Sequence, residues 1–487
     1  MWKKSLSTLS FALLSCQPVM AEQTTVQTLL QDVINNYPAI KTAYIQVANA
    51  QQENLKIQGQ TQWQLGAQAA FNKDVSLFGS PVDQTIVGAS LNKLLESGDR
   101  VSLSAQIRHE DAEESAIPTL PNPATSSELK FEYTKPLGKG ADNLEYNAAL
   151  MNATAGVDIK SAERQQLLDD MAEQIIELYL GGVNTRLQIE NTKASIQRTR
   201  KLSRFINDRL KLGIVEDKDQ LQTDAQLESQ KAQLTALELA WTQQTIAINR
   251  LTGKSWNHPV ALSAPSIVYS ESISTDSEMP PVLQHSPDLK QIDSLINIAE
   301  NQIKIQRQNK KDQLDLKFFI GNKTSDGDTQ TGDVSDSDIV AGVSLDFKQS
   351  IDKTAEDAAL YQAQLDRGLQ LQNKKLLLDN LHFDLASLIA ELKAVNQSIK
   401  AYQRSKKAEL KKLNDAEQRY KSGRIDIDQL LSFENQLSAT DLALKLQKMQ
   451  LQQRLLKLSL LKGEIWKTIE LPVYDLENDE SIIGEGL

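Results

Sequence analysis

The chain has 487 residues, with 53 Lys+Arg against 64 Asp+Glu, a formal net charge of −11, 40% hydrophobic and only 5% aromatic residues. A net-acidic chain without a basic block is a poor nucleic-acid ligand, because phosphate contacts need clustered Lys and Arg. The single Cys excludes an internal disulfide, and no Cys/His spacing suits a metal site, so no metal or cofactor is expected.

Residues 1–21 read as a secretory signal. Lys3 and Lys4 form a positive start, Leu6 to Ser15 a short apolar run, and Val19-Met20-Ala21 a small-residue cleavage site before Glu22. Leu13-Leu14-Ser15-Cys16 resembles a lipobox, so lipidation at Cys16 is the alternative to cleavage after Ala21. Beyond residue 21 no apolar stretch reaches the 18 or so residues of a membrane helix. An exported soluble protein and an outer-membrane β-barrel both remain.

Internal repetition organises the rest. Tyr37-Pro38-Ala39-Ile40-Lys41 recurs 249 residues later as Ser286-Pro287-Asp288-Leu289-Lys290. Arg209-Leu210-Lys211-Leu212-Gly213-Ile214 recurs 210 residues later as Arg419-Tyr420-Lys421-Ser422-Gly423-Arg424, with Gly253 falling on Gly463. The offset shrinks by 39, so the first half holds a 39-residue insertion between these landmarks. The expected domains are a first repeat over 22–260, a linker at 261–280, a second repeat over 281–467 and a tail over 468–487.

Each repeat predicts a helix, strands, a long helix, a tight turn and a second long helix. Asp142 to Lys211 lacks Pro and would be ~105 Å long as a helix. Leu378, Leu381, Leu385, Leu388, Leu392, Val395, Ile399 and Tyr402 alternate spacings of three and four, a coiled-coil seam. Leu430, Leu437, Leu444, Leu451 and Leu458 recur every seventh residue, and Gly213 and Gly423 sit where antiparallel helices must reverse. The helical hairpins are expected over 142–253 and 353–463.

Alternating segments suggest strands at about 62–135 and 314–348. Leu65, Ala67, Ala69 and Phe71 share one parity; Val101, Leu103, Ala105 and Ile107 alternate with Ser102, Ser104, Gln106 and Arg108. Leu129, Phe131 and Tyr133 follow, then Leu314, Leu316, Phe318 and Ile320, then Ala341, Val343, Leu345 and Phe347. Strands of ~9–11 residues with one apolar and one polar face suit a membrane barrel, though soluble sheets also alternate. Asp326, Asp328, Asp333, Asp336 and Asp338 are expected in a solvated loop, with a spacing unlike a calcium loop. A second polar loop is expected from Glu110 to Ser127.

Enzyme signatures are missing. His109, His258, His285 and His382 are scattered, Gly138-Lys139-Gly140 lacks a phosphate-loop context, and no Gly-x-Ser-x-Gly occurs. No catalytic residue is expected.

Two repeats, strand pairs feeding long helices and Gly-turned hairpins resemble the TolC-type outer-membrane factor family over nearly the whole mature chain. Arg209 to Val215 with its echo at Arg419 to Ile425, and Tyr133-Thr134-Lys135-Pro136-Leu137-Gly138-Lys139-Gly140, carry the likeness. The resemblance implies a mainly α protein with a membrane β portion. In it a homotrimeric β-barrel among outer-membrane lipids is continued by a periplasmic barrel of coiled-coil hairpins. It implies an exit duct for drugs, small molecules or proteins, in a tripartite efflux or type I secretion system. The partners it implies are a periplasmic adaptor and an inner-membrane transporter of RND or ABC type. A soluble periplasmic coiled-coil or adaptor-like protein is the alternative.

The resemblance also places sites. The helix-turn tips Leu212, Gly213, Ile214, Val215, Ser422, Gly423, Arg424 and Ile425 would meet the adaptor. Asp219 and Tyr420 would close the periplasmic aperture through a hydrogen bond, with Asp426 and Asp428 supplying entrance charge. The family's Arg position holds Ile425, and its acidic ring positions hold Gln429 and Ser432. The family pattern has four strands per protomer, and Thr85 to His109 reads as an extra hairpin turning at Gly98. Those strands either lengthen others or lie outside the usual count, and the sequence leaves both open.

Overall fold

A computed structural model describes residues 23–75, 81–113, 119–213 and 216–474. The signal segment, Cys16, Ile214 and Val215 therefore lie outside the described residues. In chain order the elements are β1 (Gln23–Thr24), α1 (Val26–Asn36), α2 (Pro38–Gln58), β2 (Gln64–Val75), β3 (Pro81–Leu94), β4 (Arg100–Ala112) and β5 (Ala124–Pro136). They continue as α3 (Leu144–Lys211), α4 (Asp217–Leu251), β6 (Ala261–Leu262), α5 (Thr275–His285) and α6 (Pro287–Asn309). The last are β7 (Gln313–Thr329), β8 (Gly332–Lys348), α7 (Thr354–Lys421) and α8 (Ile427–Leu461).

The duplication is exact in the long helices. α3 and α7 each have 68 residues and α4 and α8 each have 35, with starts and ends 210 positions apart. Local chemistry sets their ends. Thr25 and Thr28 form a capping box on α1, Ser286 caps α6 just before Pro287, and Asp426 caps α8 by accepting from Gln429 N at 2.8 Å. Gly213 and Gly423, at φ 69° and 72°, end the two long helices in the left-handed region that a Cβ disfavours.

The chain divides into two units. One comprises Leu168–His285 and His382–Val473 together with the residues up to Pro38. Its seam follows the heptads on α8, where Leu430, Leu437, Leu444, Leu451 and Leu458 are all buried, and in part on α7, where Leu385, Leu388, Leu392 and Ile399 are buried but Val395 is half-buried and Tyr402 exposed. β1 and β6 form a short parallel pair, and Tyr179 on α3 donates its hydroxyl to the carbonyls of Thr24 (3.3 Å) and Ser263. Burial raises the pKa of that tyrosine above its ordinary value, against opposing hydrogen bonds from Ser263.

The other unit comprises Ala39–Leu167 and Ser286–Leu381 with Tyr474. It holds one six-stranded antiparallel sheet in the order β2-β3-β4-β5-β7-β8. Of the two alternatives the second holds: the extra hairpin does not lengthen other strands but adds to the usual four, with β3 and β4 as full strands of 14 and 13 residues between β2 and β5. Asn54 on α2 bonds Thr154 on α3 at 2.9 Å, and Asn301 on α6 bonds Asn152 at 3.2 Å.

Two expected loops shrink. Asp326 and Asp328 lie on β7, and Asp333, Asp336 and Asp338 on β8, paired up to Thr329↔Gly332 around a two-residue turn. Composition suggested a loop, but a strand that projects beyond an apolar band has no need of apolar residues on either face. For the same reason β4 runs to Ala112 and β5 begins at Ala124.

Candidate functional site

Register exposes the logic of the sheet. Leu65, Leu91, Leu103, Phe131, Ile320 and Ala341 are direct cross-strand partners, so all six strands contribute to one apolar row on one face. Two residues along, Ala67, Ala89, Ala105, Leu129, Asn322 and Ile339 form the next row. These side chains are not buried: Leu65 is 80% exposed and Ile339 76%. The opposite face is polar, with Gln68, Gly88, Gln106, Glu128, Lys323 and Asp338 in register. On that face Lys130 pairs with Glu132 at 2.8 Å and its ammonium lies 5.0 Å from the Phe319 ring. A sheet with an exposed apolar face and a charged one separates hydrocarbon from water.

The turn between β3 and β4 is tied to the passage from β5 into α3. Tyr133 Oη donates to Asp99 Oδ2 at 2.6 Å, and Asn143 Nδ2 donates to the Leu95 carbonyl at 3.1 Å. Gly98 has φ 88°, and a Cβ there would sit 2.8 Å from Asn143 N. Gly140 and the left-handed Asp142 and Asn143 swing the chain from strand to helix. The Tyr133–Gly140 motif pointed to this passage, but not to its hydrogen bonds.

In the helical unit, the two Gly turns lie at the ends of α3 and α7. Leu212 is 72% exposed, Ser422, Gly423 and Arg424 are exposed, and Ile425 is half-buried against a cluster of Ile206, Leu413, Tyr420, Ile427, Leu430 and Leu431. Arg209 donates to the Lys421 carbonyl at 2.9 Å, tying one turn to the other. Asp428 is exposed and accepts from Gln222 on α4, while Asp426 is spent on its cap.

Asp219 and Tyr420 are close without being bonded. Burial and then the charge of Asp219 raise the Tyr420 pKa, while the tyrosine hydroxyl is buried with no hydrogen-bond partner among the described residues. Tyr420 also lines a groove of about 410 Å³ with Arg198, Lys201, Phe205, Leu413 and Glu434.

Sequence reasoning missed that groove's central acid. Glu434, 6% exposed, accepts from Arg198 Nε at 2.5 Å and Ser195 Oγ at 3.3 Å, and Gln230 Nε2 donates to the same serine at 3.0 Å. Burial pushes the Glu434 carboxyl up, against the pull of Arg198. The repeat offset held the signal: 210 residues earlier stands Asp224, which accepts from Ser203 at 3.0 Å and Gln220 at 2.8 Å.

Among the described residues no cluster of His, Cys, Asp and Glu could hold a metal ion, and no helix is long and apolar enough to cross a membrane. Residues 280–464 match the model of the outer membrane efflux protein family. Over that stretch, which covers most of the second repeat, the chain is similar to this family. No curated protein matches by sequence. Among solved structures, the channel-forming CusC aligns at TM-score 0.64 and 16% identity, over 91% of this chain and 92% of that one. The outer-membrane channel OprN aligns at 0.66 and 13%, over 90% and 89%. The Campylobacter jejuni outer membrane channel CmeC aligns at 0.61 and 13%, over 99% and 97%. The fold is therefore that of solved outer-membrane channels. The helical hairpins and the apolar-faced sheet are this family's two structural parts.

Proposed function

We propose that the chain is the exit duct of a tripartite efflux or type I secretion system. In this reading three copies close their sheets into one barrel, and drugs, small molecules or proteins pass through it without being chemically altered. The observation that carries it is the exposed six-strand apolar row beside a charged opposite face, a wall suited to a membrane pore.

The tip residues Leu212, Gly213, Ser422, Gly423, Arg424 and Ile425, with Ile214 and Val215, form the adaptor-docking surface. Leu212, 72% exposed at the helix turn, supports this by offering an apolar contact to a partner. The adaptor joins the duct to an inner-membrane transporter of RND or ABC type. Asp219, Tyr420, Asp426 and Asp428 form the aperture; the Tyr420 hydroxyl, buried and without a hydrogen-bond partner among the described residues, supports this as the closing donor.

Reconstitution of the full chain into planar bilayers tests the duct. Discrete conducting steps of uniform size are expected. A protein that inserts and never conducts, with or without its adaptor, would overturn the reading.

A further inference from the structure

The extra hairpin changes what the barrel must be. We propose that β3 and β4 belong to the pore wall in the assembled protein, so that three copies of a six-stranded sheet close into eighteen strands. This rests on the three-copy duct reading and departs from the four strands per protomer that the family resemblance implied.

Four observations carry it. First, the hairpin is built in, with continuous pairing from Pro81 to Ala112 on one side or the other and its turn held by Asp99, Leu95 and Asn143. Second, the apolar row runs without a break through Leu91 and Leu103, so β3 and β4 face the same solvent as their neighbours. A hairpin folded over the wall would hide one of its faces.

Third, the sheet has two long open edges. Among the described residues β2 is paired only with β3, and β8 only with β7. β8 has 17 residues, with Ile339, Val343 and Leu345 at 76%, 66% and 60% exposure. A long apolar edge strand is a template for another strand. Fourth, six is an even number of alternating strands, so β8 of one copy meets β2 of the next running antiparallel, as barrel closure demands. Six strands are also fewer than the eight or so of the smallest membrane barrel, so one copy does not close alone. The occupant of each edge is therefore a second copy of this chain.

Width follows from strand number. With strands ~4.8 Å apart and tilted by about 40°, eighteen strands give a backbone radius of ~18 Å against ~12 Å for twelve. After side chains the lumen would be ~25 Å across. The polar face that lines it carries Glu128, Lys130, Glu132, Lys323 and Asp338, so cargo crosses a wall of both signs.

The test is electron cryo-microscopy of the full chain in lipid nanodiscs, with native mass spectrometry for copy number. Eighteen strands from three copies is the expected result. Twelve strands from three copies, with β3 and β4 off the wall, overturns the wide barrel and leaves the duct standing. Any other copy number, or no closed ring, overturns both. An independent check uses two cysteine pairs within one chain. Oxidation should link Ala105→Cys to Leu129→Cys, which are cross-strand partners, and leave Ala67→Cys and Leu129→Cys unlinked. The reverse pattern would put β2 beside β5 and exclude the hairpin from the wall.

Discussion

The Tyr133 hydroxyl donates a 2.6 Å hydrogen bond to Asp99, and so fastens the turn of the inserted hairpin to the strand that leads into the longest helix of the first repeat. Asp99 is 8% exposed, and its other side-chain partner is Ser97 at 3.0 Å. Losing the tyrosine donor leaves a buried carboxylate oxygen short of a bond, which costs about 1–3 kcal/mol. Tyr133→Phe should therefore loosen the 95–99 turn while keeping the strands. Limited proteolysis of the membrane-embedded protein should show faster cutting there than in the wild type. Equal rates would mean that the turn is held without the tyrosine, by Asn143, Ser97 and its own backbone bonds.

The two faces of the sheet predict opposite tolerance for charge. Leu103 lies in the apolar row and Ser104 on the face with Lys130. A Lys on the lipid face near mid-membrane costs about 2–4 kcal/mol, whereas one in the lumen is solvated. Leu103→Lys should lower the urea midpoint for unfolding in lipid vesicles, and Ser104→Lys should leave it nearly unchanged. If both variants fall alike, the row does not face hydrocarbon.

Much of this was legible in the sequence, for physical reasons that differ by element. The seam on α8 could be read because Leu430 to Leu458 recur every seventh residue, and all five prove buried. The strands could be read where lipid and water force alternation. They could not be read beyond the membrane band: Asp326 to Asp338 looked like a loop because neither face of β7 and β8 there needs apolar residues. The place of Thr85 to His109 in the sheet was out of reach, since alternation reports a face and says nothing about which strand lies alongside. Glu434 was invisible for another reason. Its burial depends on Arg198 and Ser195 from α3, more than 230 residues away in sequence.

That acid predicts a pH dependence. Burial raises the Glu434 carboxyl above its ordinary 4.5. Between the unfolded and folded values the native state holds more protons than the unfolded one, so stability falls as pH rises through that window. Below about 4.5 the protonated form contributes its full stability. Glu434→Gln should flatten the dependence, and Arg198→Ala should deepen it by removing the cation that opposes the shift. Hydrogen exchange of α8 at pH 4.5 and 7.5 reads this directly. A wild-type profile as flat as that of Glu434→Gln would remove the acid from the account.

The repeated glycines after α4 and α8 share a backbone and differ in surroundings. Gly253 has φ 69° and Gly463 φ 67°, so alanine at either costs about 1–2 kcal/mol through the left-handed conformation. A Cβ on Gly253 would come no nearer than 3.6 Å to Asn36, but one on Gly463 would lie 2.3 Å from His285 Nδ1. The His285 ring is in turn held 3.2 Å from Asp169, which also accepts from Trp466 Nε1 at 2.7 Å. Gly463→Ala should therefore cost clearly more than Gly253→Ala. Thermal unfolding of the two variants in detergent decides it, and equal losses would mean that the imidazole moves aside freely.

Tyr420 separates fold from gate. Its ring is 6% exposed and packs at 6.2 Å from that of Phe205, so Tyr420→Ala would open a cavity costing about 3–5 kcal/mol and confound any measurement of gating. Tyr420→Phe keeps the ring and removes only the hydroxyl, which has no hydrogen-bond partner among the described residues. Its stability should match the wild type within about 0.5 kcal/mol, because no bond within the chain is lost. Should the hydroxyl serve as the closing contact of the aperture, its loss would raise single-channel conductance at unchanged stability. Asp219→Asn tests the other side of the same pair, since the Asp219 carboxylate acts on Tyr420 by its charge. Raised conductance in either variant supports the gate. Wild-type conductance in both would remove Asp219 and Tyr420 from it and leave the two residues as packing at the end of a helical hairpin.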